Sequence, residues 1–492
     1  MAALAELVIE QLGPLRNTKV ELGDVTLIFG YPNSGKSYTL RAIYESLMLH
    51  DPPVVRTCLA RMKPLDSRIV RIEIGEVSRS RGEGAVARRV KVCIDVERLV
   101  DMLRDRVERC SRAGLLPPHS VEFRGSGVLG LEERRREIAE TVVEVFSEKA
   151  RERYPDATLS VEGKLTCTII PKLPLQKYSE ITELIPVIDD AGDEILIRDV
   201  VLRAAVASML GDLVDPALLV EEALRRLTGG STLSRVVYAA YGRSLLSQAM
   251  LYTLLEKEKT TTAVIEAVFA SRNIPALSLF HALYEGYRSL REDPNLLEKL
   301  VAIFSPLLGG RVNIGDAEIA YQSDGAPVPL NMASALAGEA VALMLAAAAV
   351  ARHGSGLLLI EEPEAQLHPR YQMLVPLALY GLAAHGVKVV VTTHSPIVIE
   401  VAATLARLAH SDQRRLLRAV EKLLARAAPR GEPEGLAGLL ADSIPRLSVL
   451  FYYFDGSRAV RFDAEKLVEE SVPSHTDVDI SLTKWVIDIS AP

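Results

Sequence analysis

A chain of 492 residues has room for one large core or two to three domains. With 49% hydrophobic and 25% charged residues, it has the composition of a folded globular protein, which excludes general disorder. A net charge of −7 removes any global argument for nucleic-acid binding and leaves local basic patches open. Arginine far outnumbers lysine, and asparagine and glutamine are sparse, a bias that points to a thermophile. Cys58, Cys93, Cys110 and Cys167 stand far apart with no C-x-x-C pair. That spacing predicts neither a zinc site nor a disulfide framework and suits a reducing cytosol. No basic stretch followed by a long apolar run opens the chain, so no signal peptide is expected and the location is read as cytoplasmic. Residues 340–360 are strongly apolar but are interrupted by Arg352, His353, Gly354 and Gly356. They read as a buried alanine-rich helix, a turn and a strand, not as a membrane span.

Taken in order, residues 7–9 and 17–22 read as strands around a Gly13-Pro14 turn. Val25-Thr26-Leu27-Ile28-Phe29 reads as a buried strand, and residues 37–49 as a helix that Asp51-Pro52-Pro53 ends. Apolar residues largely alternate over 68–74 and 87–96, the period of half-buried antiparallel strands. Ser78-Arg79-Ser80-Arg81-Gly82-Glu83-Gly84 between them predicts a mobile hairpin loop. Residues 97–113 and 132–153 read as helices, with Arg134-Arg135-Arg136 on a solvated face, and residues 165–170 as a strand. A strand pair is expected over 187–198 and helices over 199–227. A strand follows at Val236-Val237-Tyr238-Ala239-Ala240, then a mostly helical stretch over 245–308 interrupted at Pro275 and Pro294. No heptad run is long enough for an extended coiled-coil arm.

Three short segments carry chemistry. Gly30-Tyr31-Pro32-Asn33-Ser34-Gly35-Lys36-Ser37 fits G-x-x-x-x-G-K-[ST] between a strand and a helix. Gly30 and Gly35 permit a backbone whose N–H groups converge, and Lys36 adds a point charge for the β- and γ-phosphates. The Ser37 hydroxyl is suited to Mg²⁺, and the helix N-terminus faces the phosphates. Asn33, Ser34 and Tyr38 fall in or beside this loop and are assigned to the nucleotide with it. Leu357-Leu358-Leu359-Ile360 is a buried-strand pattern delivering Glu361 and Glu362 at its end. Glu361 is assigned to Mg²⁺ and Glu362 to the general base that polarises water. Residues 387–393 form a third strand pattern, closed by His394-Ser395-Pro396, and a neutral His394 suits the γ-phosphate or the attacking water.

The order GYPNSGKS, LLLIEEPEAQLHP and VVVTTHSP resembles the ABC-type ATPase heads of the SMC, RecF and OLD families, and most of all the archaeal and bacterial "AAA family" ATPases grouped with OLD proteins. The resemblance implies ATP and Mg²⁺ as ligands, His394 as a switch histidine and residues 363–368 as a D-loop. It also implies a signature segment that completes a partner's site. Met332-Ala333-Ser334-Ala335-Leu336-Ala337-Gly338-Glu339 takes that place, with Ser334, Gly338 and Glu339 as its matching residues. The glutamine of the Q-loop is missing. Tyr241-Gly242-Arg243-Ser244 resembles the R-S segment of some relatives, and Arg243 suits a surface role as well as a site role.

The fold expected is α/β, a P-loop NTPase of the ABC type with an antiparallel β lobe and a helical lobe inserted mid-chain. Residues 1–50 supply the P-loop half, 51–230 the β lobe and 231–330 a core strand with the helical lobe. Residues 331–400 complete the core, and 401–492 add C-terminal helices and strands. The function expected is ATP binding and hydrolysis with a nucleotide-gated homodimer, in DNA maintenance or defence. The alternative is an ATP-dependent switch on a protein partner without nucleic acid. Residues 51–112 hold 15 Lys and Arg against 10 Asp and Glu, the one local support for DNA or RNA. An OLD-type nuclease requires a Toprim domain; Asp477-Val478-Asp479 has no strand-borne acidic motif ahead of it and reads as a loop. A transporter subunit requires a good signature, a Q-loop glutamine and a shorter middle.

Overall fold

The computed structural model describes residues 5–59, 69–74, 77–80, 84–112, 120–125, 135–162, 164–175, 210–229, 233–243, 246–247, 274–315, 318–323, 326–427 and 435–469. In chain order the elements are β1 (Ala5–Leu12), β2 (Leu15–Leu22), β3 (Val25–Gly30), α1 (Lys36–Ser46), α2 (Pro52–Leu59), β4 (Val70–Ile74), β5 (Val77–Ser80), β6 (Gly84–Asp95), α3 (Val96–Arg112), β7 (Ser120–Gly125), α4 (Arg135–Arg153), β8 (Thr158–Glu162), β9 (Leu165–Leu175), α5 (Pro216–Gly229) and β10 (Arg235–Ala239). They continue with α6 (Ile274–Glu292), α7 (Pro294–Leu308), β11 (Arg311–Ile314), β12 (Ile319–Gln322), β13 (Val328–Pro329), α8 (Ala335–Ala351), β14 (Gly356–Glu361), α9 (Pro369–Gln372), α10 (Val375–Ala384), β15 (Val387–Thr392), α11 (Pro396–Ser411), α12 (Gln413–Ala427), α13 (Leu436–Ser443), β16 (Val449–Phe454), β17 (Ala459–Phe462) and α14 (Ala464–Glu469). The strand pair expected over 187–198 and the acidic pair Asp477 and Asp479 lie outside the described residues.

The chain divides into two compact units. The first, residues 1–51, 111–128 and 229–492, is built on a six-stranded sheet of order β10-β14-β15-β3-β16-β17. Every neighbouring pair is parallel except β16–β17. Strands inside a parallel sheet are covered on both faces, and β10 and β14 are buried at every position. This is why the continuous apolar runs were legible as strands. The C-terminal strand β16 lies beside β3, pairing Val449 with Val25 through to Phe454 with Gly30. Helix α8 is buried from Ala337 to Val350, and its alanines allow close packing against α6. A Cβ on Gly286 of α6 would lie 1.9 Å from the Leu345 carbonyl oxygen, so only glycine fits this contact. Two small antiparallel sheets complete the unit, β2-β1-β7 and β11-β12-β13. Pro275 and Pro294 stand at the starts of α6 and α7, where a missing N–H is harmless.

The second unit, residues 52–110 and 129–228, holds an antiparallel sheet of order β4-β6-β9-β8, with β5 also on β6. The predicted alternation appears here, and part of the expected hairpin loop is strand β5. The cysteine expectation is corrected in this sheet. Cys93 and Cys167 are directly paired across β6 and β9 and form a disulfide, 74 residues apart in sequence. Linear spacing carried no sign of it, because the antiparallel register brings the two together at a Cα separation of 4.0 Å.

The first unit also contains a buried charged network. Arg235 is 2% exposed and pairs with Asp51, which is 0% exposed. Tyr44 of α1 and Ser278 of α6 donate hydrogen bonds to the second Asp51 oxygen, at 2.6 and 2.5 Å. On its other side Arg235 binds Glu285 at 3.0 Å, and Glu285 also meets His353 Nε2 at 3.0 Å. The network therefore ties the end of the P-loop segment to β10 and α6. Burial by itself would raise the Glu285 pKa, but Arg235 and His353 outweigh it and hold the carboxyl at about 2. A folded-state pKa below the unfolded value gives stability that is present above about pH 4.5 and is lost as pH falls towards 2. Glu285→Gln is expected to destabilise the protein at pH 7 by on the order of 3 kcal/mol. Urea unfolding should show this difference shrinking between pH 4.5 and pH 3; a difference independent of pH would contradict the assignment.

Candidate functional site

The candidate site stands where β3, β14 and β15 end side by side. Ile28 of β3 pairs with Thr392 of β15, and Thr392 pairs with Glu361 of β14. Parallel alignment therefore brings the phosphate loop, the acidic pair and His394 to one edge of the sheet, where open α/β sheets bind ligands. The residues at the ends of these three strands are those singled out from the sequence.

The loop after β3 takes left-handed backbone at Gly30, Asn33 and Gly35, with φ of 134°, 59° and 99°. Gly30 is also required by packing: a Cβ there would lie 2.2 Å from the Phe454 carbonyl oxygen on β16. Lys36 is buried, and its Nζ donates to the carbonyls of Gly30 at 3.0 Å and Tyr31 at 2.6 Å. Desolvation lowers its pKa to about 8, although the Glu362 and Glu364 charges pull the other way. Ser34 is buried, while Ser37 is exposed at the start of α1, as a metal-facing hydroxyl would be. Tyr38 is 39% exposed, and its ring lies against Gly13 of the β1–β2 turn.

The two carboxylates diverge. Glu361 is 9% exposed; its Oε1 accepts the Tyr238 hydroxyl at 2.8 Å and its Oε2 the Tyr241 N–H at 3.3 Å. Burial, then Glu361 itself, push the Tyr238 hydroxyl well above the ordinary tyrosine value, so it remains a donor. Each Glu361 oxygen keeps further acceptor capacity, so the donor set fits a magnesium ion held with Ser37 through the carboxylate or its water shell. Among the described residues no cluster of three His, Cys, Asp or Glu forms a self-sufficient metal site. Glu362 is more open, with a side chain 38% exposed, and its Oε1 is 3.6 Å from His394 Nε2. Its φ of 45° is left-handed, a strained conformation for a residue with a Cβ.

Arg243 supplies the clamp that holds this strain, and here the structure decides between the two roles open in the sequence. The side chain is 0% exposed. Its Nε pairs with Glu339 Oε2 of α8 at 2.9 Å, and its terminal nitrogens donate to the Glu361 carbonyl at 2.5 Å and the Glu362 carbonyl at 2.9 Å. The Glu362 N–H meanwhile donates to Thr392 O at 2.9 Å. Arg243 thus binds a buried carboxylate and protein carbonyls. Ser334 caps α8 by accepting the Ala337 N–H at 3.3 Å. Gly338 is buried one turn further on, and no described hydrogen bond joins either residue to the phosphate loop of the same chain.

Residues 337–400 match the family model described as "AAA domain, putative AbiEii toxin, Type IV TA system". A search of curated proteins returns no significant match to the chain. Among solved structures, the chain is similar to the Smc head domain with an extended coiled coil bound to the C-terminal domain of ScpA from Pyrococcus furiosus. Identity is 13%, with 94% of this chain and 97% of that one covered and a TM-score of 0.32. It is also similar to an Smc head bound to the C-winged helix domain of ScpA, at 14% identity, 94% and 98% coverage and a TM-score of 0.33. Among the described residues no helix is long and apolar enough to cross a membrane. The phosphate loop, the acidic strand and the histidine strand stand side by side in one parallel sheet, the α/β layout of a P-loop NTPase, and the last two of these lie within the residues that match the AAA-domain model.

Proposed function

We propose that the chain binds ATP with Mg²⁺ at this site and hydrolyses it slowly, and that hydrolysis is gated by formation of a homodimer. The observation that carries the reading is the shared strand edge, on which a P-loop lysine, two divergent carboxylates and a histidine converge. Gly30, Asn33, Ser34, Gly35 and Lys36 cradle the phosphates, and Tyr38 flanks the nucleotide. Ser37 and Glu361 would hold Mg²⁺, which would supply charge neutralisation for the phosphates. Glu362 orients and deprotonates the attacking water, and His394 donates to the γ-phosphate or orients that water. Ser334 and Gly338, at the N-terminus of α8, meet the nucleotide of a second copy.

The process served is DNA maintenance or defence, in the manner of OLD-like relatives; the description of the matched family, which names a toxin–antitoxin system, favours defence. The alternative is a switch acting on a protein partner. The basic stretch within residues 51–112 is the basis for preferring nucleic acid. Arg89 is exposed, whereas the side chains of Arg79, Arg81 and Arg88 lie outside the described ones.

Glu362→Gln keeps the shape of the side chain and removes the base. ATP and Mg²⁺ should still bind, hydrolysis should fall by roughly 10²–10⁴-fold, and an ATP-bound dimer should accumulate. Glu361→Gln should instead weaken the Mg²⁺ dependence of binding and trap no dimer. Turnover assays with light scattering check both, and wild-type hydrolysis in Glu362→Gln would reassign the base.

Lys36 gives binding a pH signature. With a pKa of about 8 in the free protein, its ammonium is fully present below pH 7 and is lost above 8. Phosphate stabilises the charged form, so ATP affinity should be flat below pH 7 and fall by up to about tenfold per unit above pH 8. Lys36→Ala should abolish this slope and weaken binding by at least about tenfold below pH 7, with the difference shrinking above pH 8. Calorimetry from pH 6 to 9.5 is the measurement, and a flat wild-type profile would contradict the role.

If the basic stretch contacts phosphates, affinity for DNA or RNA should fall steeply with salt. Neutralising Arg79, Arg81, Arg88 and Arg89 should flatten that slope by up to about four units. Absence of binding at low salt with ATP present would favour the protein-partner reading.

A further inference from the structure

Glu364 follows the acidic pair by two residues and is 8% exposed. Its Oε1 accepts two backbone N–H groups, from His394 at 2.7 Å and Ser395 at 3.2 Å. Both belong to the loop that leaves β15 and carries the histidine. Its Oε2 is buried as well and accepts no hydrogen bond, although the Thr393 hydroxyl is close enough to favour the ionised carboxyl. Burying a carboxylate with one oxygen unsatisfied carries a penalty of about 1–3 kcal/mol or more, so its presence calls for a compensating role.

That role is not closure of the acidic turn. Backbone bonds do that work: the Ala365 N–H donates to Glu362 O and the Leu367 N–H to Glu364 O, both at 3.0 Å. Nor does α11 need Glu364 for its cap. Ser395 Oγ accepts the Val398 N–H, Thr393 Oγ1 accepts the Ser395 N–H, and Ser395 Oγ donates to Gln372. The His394 N–H donates to Glu364. The carboxylate therefore fixes the peptide plane from which the imidazole projects towards Glu362, 3.6 Å away.

We propose that Glu364 is a positioning residue for hydrolysis, joining the turn that carries Glu362 to the loop that carries His394 and so holding the imidazole at the γ-phosphate. The link fixes two segments that come from different strands, β14 and β15, in one geometry. When either segment shifts, the other is carried with it. The inference rests on the reading of His394 as part of an ATP-hydrolysing site.

The test uses the full chain with Glu364→Ala, Glu364→Gln, His394→Ala and the double variant Glu364→Ala/His394→Ala. Glu364→Ala should lower kcat by about 10- to 100-fold, the scale of a roughly 1 Å misplacement, with ATP Kd unchanged within about threefold. The Gln variant retains an acceptor oxygen and should recover the rate to within about threefold of wild type. The double variant should be no slower than His394→Ala, because the residue acts through that histidine. Losses that multiply in the double variant would overturn the proposal. Amide hydrogen exchange at residues 394–395, read by mass spectrometry, should be at least about tenfold faster in Glu364→Ala and near wild type in Glu364→Gln. Unchanged exchange in Glu364→Ala would also overturn it. A wild-type chain without any ATPase activity would remove the hydrolysis reading instead, and the exchange result would still decide whether Glu364 holds the loop. Should the alanine variant not fold, Glu364→Met fills the same space without an acceptor and takes its place in both measurements.

Discussion

A guanidinium with no exposure to solvent sets the geometry on which the site depends. Arg243 pairs with Glu339 on α8 and donates to the carbonyls of Glu361 and Glu362. Without such a donor the left-handed Glu362 would relax towards extended backbone, and its side chain would leave His394. A buried arginine is tolerated only when its charge and donors are matched, and here one carboxylate and several carbonyls do so. The same contacts make α8 and the acidic turn one mechanical unit. A force applied at the N-terminus of α8, where Ser334 and Gly338 lie, reaches Glu362 through a single buried side chain.

The motifs were legible because each is contiguous and each ends a strong strand pattern. The phosphate loop, the Glu361-Glu362 pair and His394 each follow a run of apolar residues, and a parallel sheet turns that common order into spatial proximity. Arg243 was not legible as a buried clamp. Its partners stand 96, 118 and 119 residues away, and no local pattern separates it from a surface arginine. Glu364 gave no signal either, since the donors it accepts from are backbone N–H groups, which every sequence supplies.

Two further features escaped sequence reading for the same reason. Strand β16, Val-Leu-Phe-Tyr-Tyr-Phe, is an evident apolar strand, but nothing local says that it pairs with β3 across more than four hundred residues. Its position matters to the site: the Phe454 carbonyl occupies the space that a side chain at residue 30 would need. The first glycine of the phosphate loop therefore answers to sheet packing as well as to phosphate. The Cys93–Cys167 disulfide likewise depends on register between β6 and β9, which alternation alone leaves undetermined by any shift of two residues.

On the proposed function, the electrostatics of the site call for nucleotide and magnesium to bind together. Lys36 lies in the field of Glu362 and Glu364, and Glu361 stands on the adjacent strand end. A polyanionic triphosphate brought to this edge meets one buried ammonium, loop N–H groups and three nearby carboxyl groups. On the proposed function, a divalent cation held by Ser37 and Glu361 would convert Glu361 from a repulsive neighbour into a ligand. Glu362 then remains as the uncommitted carboxylate, held away from the metal side by the divergence of successive residues at the strand end. The buried lysine, Glu361 and the clamped Glu362 thus form one electrostatic arrangement, which a metal-bound triphosphate would fit.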